Sequence, residues 1–256
     1  FGVFRNGDFF DSFPFKGADE NMTLDLVNDQ QRSVTWEVLL PAFDNVGLAS
    51  VETSVGFELE PVQSVRRPVF AALGDSITHG TGQGAGSYQS WPFLLARELD
   101  WDLYNLAVGG SGVSAGQAET LAGLGPVDVV TLLFGYNDWN GEGNSVEEFE
   151  NEYRRMLAAV RAAQPGAEVY CITPLVTRRE RSRTTDLPID GFRDAVKRAV
   201  QDAALNDPRL HLIEGPSVSS YENLQPEGAR DVVHLTVSGA ALLAEALEPL
   251  LSEAGQ

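Results

Sequence analysis

The sequence predicts an α/β protein, in which a doubly wound parallel sheet follows a small antiparallel β-rich lobe. Two observations predict the sheet. From Val69 onward, short runs of residues alternate with amphipathic helical segments, and each run is apolar over nearly its whole length. Such runs are typical of strands buried on both faces of a parallel sheet, and their alternation with helices builds right-handed crossovers. The third observation, short segments of alternating polarity before residue 67, is typical of antiparallel strands.

Residues 1–67 are predicted to form a β-sandwich-like lobe that precedes a second domain at 68–256. Its expected strands are MTLDLVN, SVTWEVLLP and VGLASVET, and VRRP (65–68) marks the boundary. Trp36, Val38 and Leu40 share one strand face. Strands of this length need a larger partner to pack on, so we expect the lobe to dock on the second domain. A lobe that only stabilises the second domain and one that shapes the rim of a binding site are both compatible with the pattern.

Five strands and three helices are predicted after the boundary. The strands are PVFAALGDS, DLYNLAVGG, VDVVTLLFGYND, AEVYCITP and LHLIEG. Ser145 and Glu148 form a capping box for the first helix, which Pro165-Gly166 ends. The second helix covers FRDAVKRAVQDAALND, and the third begins near Ser238.

Composition excludes several classes of function. A net charge of −19 repels phosphate groups, which makes nucleic acid and anionic membranes poor partners. No apolar run approaches the roughly 18 residues of a membrane span. Cys171, the single cysteine, lies in an apolar strand and is expected to be a buried thiol without a disulfide. With one cysteine and three histidines the chain lacks the ligands of a structural zinc site, so we expect no metal site.

Polar residues and glycines follow the predicted strands at the edge where open parallel sheets bind ligands. Asp75 and Ser76 follow the first strand, and Asp231 and His234 precede the last helix. The second strand leads to Asn105, Gly109 and Gly110, and the third to Gly135, Asn137 and Asp138. A serine, backbone amides, an asparagine and an Asp/His pair are the parts of an acyl-transfer site.

Each part has a chemical role in acyl transfer. A serine hydroxyl becomes a strong nucleophile when a neutral imidazole takes its proton, and a carboxylate orients that imidazole. Donors aimed at the oxyanion contribute about 3 kcal/mol each. Singly, Ser76 or Asp231 could be a helix cap, Gly109 and Gly110 a turn, and Asn137 an Asx-turn. Their order at successive strand ends favours a shared site.

The three histidines have different expected roles. His211 alternates with Leu210 and Leu212 on a strand, which favours a structural histidine with a polar partner. His79 shares a turn with Ser76, so we expect it to line the cleft rather than accept the serine proton. His234 arrives from the far end of the chain with a carboxylate three residues before it.

Three further motifs compete for a role. GVSAG (112–116) matches the G-x-S-x-G nucleophile elbow, but GGSG intervenes between the apolar strand residues LYNLAV and Ser114, which disfavours Ser114 as the nucleophile. HGTGQGAGS lacks the spacing of phosphate loops and is predicted to be a flexible loop beside the site. The basic segment TRRERSRTT (177–185) is either a solvated loop or a lid over the substrate.

The motifs GDS, NLAVGG, GYND and DVVH, in this order, resemble those of the SGNH/GDSL hydrolase family. The resemblance spans Val69 to the C-terminus and implies a flavodoxin-like sheet. It implies Ser76 as nucleophile, His234 as base and Asp231 as its orienter. The implied oxyanion hole consists of the Ser76 and Gly110 amides with the Asn137 side chain. The chain departs from the family's common HPN by having HLT after DVV.

The neighbours of these motif residues are candidates to line the substrate, namely Asp75, His79, Tyr136 and Trp139. The β-rich front segment is similar to that of two-domain members, which include acetyl-esterases of plant polysaccharides and acyltransferases of small-molecule biosynthesis. The resemblance implies a serine carboxylic-ester hydrolase that cleaves short-acyl esters of a carbohydrate or small molecule without a cofactor. An acyltransferase with the same site and a non-catalytic binding module are the alternatives.

Overall fold

The computed structural model describes residues 1–14, 21–29, 32–41, 46–62, 65–84 and 86–252. These residues fall into two compact units. The N-terminal unit comprises Phe1–Arg66 together with Ala85–Tyr88, and the C-terminal unit comprises Arg67–Gly84 together with Gln89–Gln256.

The N-terminal unit contains a three-stranded antiparallel sheet of order β2-β1-β3. The strands are β1 (Gly2–Arg5), β2 (Asp8–Ser12) and β3 (Trp36–Leu39). Asn6 and Gly7 connect β1 to β2 with φ values of +53° and +92°. Positive φ at both central positions is the requirement of a type I′ hairpin turn, which asparagine followed by glycine meets at little cost. Phe9 stacks on Tyr88 with ring centroids 5.1 Å apart.

The predicted strands of this unit were wrong in two of three cases. Residues 22–28 and the described residues 46–53 form no strand, and only SVTWEVLLP contains one, β3. The prediction also missed β1 and β2. Alternating polarity makes one face apolar, but a strand persists only where its backbone finds a partner. β1 finds two, because β2 pairs along one edge and β3 along the other.

The C-terminal unit contains a five-stranded sheet in the order β5-β4-β6-β7-β8, with every neighbouring pair parallel. This is the predicted doubly wound sheet in its flavodoxin-like order. Its strands, each inside a predicted segment, are β4 (Val69–Gly74), β5 (Asp102–Asn105), β6 (Val129–Leu133), β7 (Glu168–Ile172) and β8 (Leu210–Ile213).

Seven α-helices lie in the described part of this unit. They are α1 (Ser76–His79), α2 (Trp91–Glu98), α3 (Ala115–Glu119), α4 (Val146–Ala163), α5 (Asp190–Ala204), α6 (Gly215–Val218) and α7 (Val237–Leu251). The capping box predicted for α4 is confirmed: the Ser145 hydroxyl accepts from the Glu148 amide at 3.2 Å, and Glu148 accepts from the Ser145 amide at 2.9 Å. A short π-helix covers Asp138–Glu142.

Successive strand residues point into two separate cores, one on each face of the sheet. In β4, Ala71 and Leu73 pack with residues of α3, α4 and α5, whereas Phe70 and Ala72 pack with residues of α2 and α7. This two-sided burial explains why the strands are apolar throughout, and it leaves the strand ends as the places for polar chemistry.

The prediction that Cys171 is a buried thiol is confirmed. Cys171 is buried and free, and burial raises the pKa of its thiol to about 12. Over the described ranges, no helix has the length and apolar character needed to cross a bilayer. No cluster of three or more His, Cys, Asp or Glu side chains suited to a metal ion is found within them either.

Candidate active site

Ser76 follows β4 at the carboxyl edge of the sheet and is the first residue of α1. The turn depends on Gly74, where a Cβ would collide with the Thr78 hydroxyl and lie 2.8 Å from the Leu133 carbonyl. Asp75 is the N-cap, with its carboxylate accepting from the Ile77 amide at 2.9 Å. Ser76 is therefore not used as the cap, and its hydroxyl is available for another partner.

That partner is His234, which comes from the opposite end of the chain. The Ser76 Oγ lies 2.8 Å from His234 Nε2, and His234 Nδ1 lies 2.7 Å from Asp231 Oδ2. With a proton on Nδ1, the imidazole donates to Asp231 and presents the lone pair of Nε2 to the serine hydroxyl. This geometry suits proton transfer from serine to histidine.

Asp231 is held by the same loop that carries His234. Its Oδ1 accepts from the Val233 and His234 amides, each at 3.1 Å, while Oδ2 faces the imidazole. Burial works against the charge on Asp231, but the hydrogen bonds from the His234 and Val233 amides and from the imidazole outweigh it. The pKa of the carboxyl is therefore below its ordinary value, which favours the ionised form that orients and stabilises a histidine cation.

Gly82 sets the position of His234 in a way that sequence reasoning missed. It has a φ of +80°, and a Cβ there would lie 3.0 Å from His234 Cβ and 2.9 Å from the Leu235 carbonyl. Gln225 holds the same segment in place. Its side chain donates to the Leu235 carbonyl at 3.1 Å, and its backbone amide donates to the His234 carbonyl at 3.2 Å. The glycines of HGTGQGAGS were the available signal, since close backbone approach is a common reason for glycine.

Gln83 corrects the expectation that this glycine-rich segment is simply a flexible loop. The side chain of Gln83 is buried, donates to the Ile77 carbonyl and accepts from the Trp91 amide at 2.9 Å. The side chain of Gln83 thus connects the loop to α1 and to α2. A glutamine between glycines gives no sequence signal for such a role.

The loop after β5 lies beside Ser76. Its Val108 amide donates to the Gly74 carbonyl at 3.0 Å, and a Cβ on Gly109 would lie 3.9 Å from Ser76 Cβ and 3.6 Å from His79 Nδ1. Gly110 has a φ of +83° with open space where a Cβ would be, so glycine is needed for conformation and not for packing.

Asn137 is anchored to the same loop. Its Nδ2 donates one hydrogen bond to the Ser111 carbonyl at 2.9 Å. An amide nitrogen has two hydrogens, so a second donor remains for another acceptor. The structure thus brings Asn137 and the Gly110 segment together at the edge that holds Ser76, as the order of the motifs predicted.

The candidates to line the substrate occupy different places. Tyr136 is half-buried and borders a cavity of about 10 Å³ together with Asp75, Ile77 and Val233. Leu133, Phe134, Pro174, Leu175 and Val176 complete the lining. That volume is close to what one water molecule needs. His79 is partly buried on the last turn of α1, whereas the hydroxyl of Ser76 faces His234.

The structure does not agree with the prediction that Trp139 lines the substrate. Its side chain is fully buried in the core, and the indole N–H donates to the Leu187 carbonyl at 2.7 Å. A side chain without exposed surface has none to offer a substrate. The tryptophan is adjacent to the site in sequence, but the π-helix turns it inward, where it packs edge-on against Tyr136.

Asp75 is fully buried beneath the site. Burial is the main reason that the pKa of its carboxyl is raised to about 7; the Ile77 amide opposes the shift, and the nearby Asp138 charge adds to it. The carboxyl that caps α1 is therefore only partly ionised at neutral pH. Its burial supports a structural role for Asp75 beneath the substrate site.

The competing histidine and serine have structural roles. His211 Nε2 lies 2.7 Å from Glu168, and its ring stacks on Tyr170, which confirms the expectation of a partnered structural histidine. Ser114 is the N-cap of α3, with its hydroxyl accepting from the Gly116 amide at 3.2 Å.

A Ser–His–Asp array at the carboxyl edge of a parallel α/β sheet is an arrangement used by acyl-transferring serine enzymes. Residues 72–242 match the model of the GDSL-like Lipase/Acylhydrolase family, and the chain belongs to that family. Membership supports an enzyme that acts on acyl esters, as a hydrolase or a transferase.

Solved structures share this fold at low sequence identity. The salicylyl-acyltransferase SsfX3 from a tetracycline biosynthetic pathway is 19% identical, with a TM-score of 0.73 over 99% of this chain and 73% of its own. A family two carbohydrate esterase from Clostridium thermocellum is 20% identical, with a TM-score of 0.58 over 74% of this chain and 66% of its own. A carbohydrate acetylesterase family member from Sinorhizobium meliloti is 19% identical, with a TM-score of 0.57 over 73% of this chain and 98% of its own. A search of curated proteins found no match.

Proposed function

We propose that the protein is a serine esterase that hydrolyses short-acyl carboxylic esters of a carbohydrate or small molecule through an acyl-enzyme on Ser76. The observation that carries the proposal is the continuous contact from Ser76 through His234 to Asp231, at 2.8 Å and 2.7 Å. Family membership supports the same chemistry.

The reaction proceeds in two steps, acylation of Ser76 and hydrolysis of the acyl-enzyme. His234 Nε2 accepts the Ser76 proton as Oγ attacks the ester carbonyl carbon, and the resulting tetrahedral intermediate expels the alcohol, which takes that proton. Water then attacks the acyl-enzyme, gives a proton to His234, and releases the acid as the proton returns to Ser76. Asp231 orients the imidazole throughout and stabilises its cationic form.

The oxyanion hole of this mechanism consists of the Ser76 and Gly110 amides and the Asn137 side chain. Ser76 is the first residue of α1, so its amide has no acceptor within the helix. The hydrogen bond from Asn137 to Ser111 supports the assignment, because it fixes the amide group and leaves one N–H to donate. Each such donor contributes about 3 kcal/mol to the transition state.

The short acyl group is supported by the size of the cavity beside the site. The cavity bordered by Ile77, Tyr136 and Val233 has a volume of about 10 Å³, close to what one water molecule needs. Two of the structurally similar proteins are described as a carbohydrate esterase and a carbohydrate acetylesterase family member, which supports a sugar ester as the substrate.

Rates on chromogenic esters from acetyl to decanoyl test both parts of the proposal. We expect acetyl esters to react fastest, Ser76→Ala to abolish hydrolysis, and the matched Ser114→Ala to retain most of it. Full activity in Ser76→Ala would overturn the mechanism. A preference for decanoyl esters would overturn the short-acyl assignment alone.

Acyl transfer to a sugar or natural-product alcohol is the second candidate. It is favoured by one observation, the likeness to a salicylyl-acyltransferase over 99% of this chain, which includes the N-terminal unit. The two activities differ in whether water or a bound alcohol reaches the acyl-enzyme. Product analysis with a panel of alcohols separates them, because a transferase makes new ester faster than free acid.

A further inference from the structure

The segment Thr177–Thr185 places positive charge beside the site of a strongly acidic chain. It holds four arginines and one glutamate, in a protein whose net charge is −19. The segment is fixed in place: the Ser182 hydroxyl donates to the Trp139 carbonyl at 2.6 Å, and the Arg183 amide donates to the Asn140 side chain at 3.1 Å. The expectation of a freely solvated loop therefore does not hold for these residues.

Two of the four arginines have structural partners. Arg178 donates to the Gln225 carbonyl at 3.1 Å and to the Tyr221 carbonyl at 3.0 Å. Arg181 is exposed and contacts Asp186 through its backbone carbonyl at 2.8 Å and its carboxylate at 3.6 Å.

Arg179 and Arg183 differ from these two. Among the described side chains, no carboxylate forms an ion pair with either guanidinium, and the buried Nε of Arg179 has no hydrogen-bond partner there. Burial raises the pKa of the Tyr136 hydroxyl, and the neighbouring Arg179 and Thr177 side chains together with the charge of Arg183 oppose this rise. The two arginines and the tyrosine thus form one cationic cluster, which we name the Arg179–Arg183 cluster.

The cluster is connected to both sides of the Ser76 site. On one side, Tyr136 directly precedes Asn137 and borders the small cavity with Asp75 and Val233. On the other side, the Arg178 amide and the Thr177 hydroxyl donate to the Val232 carbonyl at 3.2 Å and 3.4 Å, within the loop that carries Asp231 and His234. The cluster therefore lies beside the segments that carry Asn137 and His234.

We propose that the Arg179–Arg183 cluster binds an anionic group, a carboxylate or a phosphate, on the ester substrate. Guanidinium groups form paired, charge-assisted hydrogen bonds with these anions, and the Tyr136 hydroxyl supplies a further donor. An acidic protein repels anions in general, so a cationic cluster beside the site selects for substrates that carry a negative charge where the arginines are. The proposal rests on the proposed esterase function and narrows its substrate class.

Matched pairs of esters locate the anion on the acyl or the alcohol side. The acyl pair is 4-methylumbelliferyl butyrate and the 4-methylumbelliferyl monoester of succinic acid. The alcohol pair is 4-acetoxybenzamide and 4-acetoxybenzoate. We expect the wild type to prefer the anionic member of one pair by about tenfold or more in kcat/KM, and the preference to weaken as salt is added.

Arginine variants then assign the preference to the cluster. We expect Arg179→Gln and Arg183→Gln to lower the anionic-to-neutral ratio about tenfold, and the control Arg181→Gln, on the same segment, to keep it. Because Arg183 is exposed, its variant tests the cluster even if Arg179→Gln fails to fold. Equal rates for both members of both pairs, or an unchanged ratio in Arg183→Gln, would overturn the inference.

A binding measurement separates this inference from the proposed function. Calorimetric titration of Ser76→Ala with 4-acetoxybenzoate and the succinate monoester needs no turnover. Binding that disappears in the Ser76→Ala, Arg183→Gln double variant supports the cluster even if the wild type hydrolyses no ester, a result that would contradict only the esterase. Absence of binding in Ser76→Ala with normal hydrolysis by the wild type would contradict only the cluster.

Discussion

Ser76 and Ser114 lie at the starts of two short helices in the same unit, yet their hydroxyl groups have different hydrogen-bond partners. Ser114 is the cap of α3 and accepts from the Gly116 amide at 3.2 Å. At α1 the cap is Asp75, one residue before the serine, and its carboxylate accepts a hydrogen bond from the Ile77 amide at 2.9 Å. Because Asp75 and not Ser76 caps α1, the Ser76 hydroxyl is available to His234 Nε2, which lies 2.8 Å from it. A serine at a strand-to-helix turn is therefore a candidate nucleophile when its neighbour supplies the cap.

The difference in local geometry matters more than the motif. Ser114 satisfies the G-x-S-x-G pattern, but eight residues separate it from the end of β5 and its hydroxyl accepts from the backbone. Ser76 lacks that pattern and has the imidazole. The variants below test this comparison, from the partners of Ser76 that contribute most to the residue that contributes least.

Asp231→Asn should give the largest loss among the partners of Ser76. Asparagine can keep the backbone contacts that Oδ1 accepts, but its NH₂ would face His234 Nδ1 and favour the wrong tautomer of the imidazole. We expect kcat to fall about 10⁴-fold with the protein still folded. Steady-state kinetics and circular dichroism measure the two effects. A loss below tenfold in a folded variant would show that Ser76 does not depend on this carboxylate.

Asn137→Ala should lower kcat by about 10² to 10³ with little change in KM, because the lost donor acts on the oxyanion that forms only during the reaction. Asn206→Ala is the matched control, since Asn206 is exposed before β8 at the opposite edge of the sheet. We expect this variant to keep the kcat and KM of the wild type. A rise in KM at constant kcat would assign Asn137 to substrate binding instead.

Asp75→Asn should change how stability depends on pH. The carboxyl has a pKa of about 7 in the folded protein against an ordinary value of 3.8, so folding takes up a proton between these values. Its contribution to the free energy of unfolding is fully present below about pH 4 and is lost as pH rises through about 7, at most about 4 kcal/mol. Asparagine keeps the capping oxygen and cannot titrate.

Urea unfolding of both proteins at pH 5 and pH 8 measures this contribution. We expect the wild type to lose more stability than Asp75→Asn between the two pH values. Equal losses would mean that the buried carboxyl is not protonated in the folded state.

Ser114→Ala should have the smallest effect. Loss of the cap should lower the free energy of unfolding by about 1 kcal/mol, and kcat/KM should stay within about twofold of the wild type. Thermal unfolding and ester hydrolysis report the two quantities. A tenfold loss of activity would transfer the nucleophile to the G-x-S-x-G motif and reverse the comparison between the serines.

The sequence predicted the C-terminal unit well because its strands and helices have strong, separate signals. Continuous apolar runs marked all five strands of the parallel sheet, and the Ser145–Glu148 box marked the start of α4. The parallel arrangement then placed the strand ends at one edge, so the order of GDS, GYND and DVVH was enough to anticipate which residues meet. Ser76, Asn137 and His234 follow from pattern and topology together.

The remaining features depend on contacts that no local pattern encodes. β1 becomes a strand because β3 pairs with it across about thirty residues, although Asn6-Gly7 was an available hairpin signal. The position of His234 depends on close approach of Gly82, and the inward turn of Trp139 depends on the π-helix. Arg178 and Arg181 have partners in the fold, whereas no described carboxylate pairs with Arg179 or Arg183. The sequence does not encode this difference, because it depends on which side chains meet in the fold.

Covalent labelling tests the central claim, that Ser76 is the nucleophile, most directly. The wild type, Ser76→Ala and Ser114→Ala are treated with a fluorophosphonate, and the modified peptide is identified by mass spectrometry. An activated serine attacks this reagent at phosphorus and releases fluoride, so the label marks the nucleophile without knowledge of the substrate. We predict one label per chain on Ser76, lost in Ser76→Ala and retained in Ser114→Ala. A label on Ser114, or none on a folded wild type, would contradict the account.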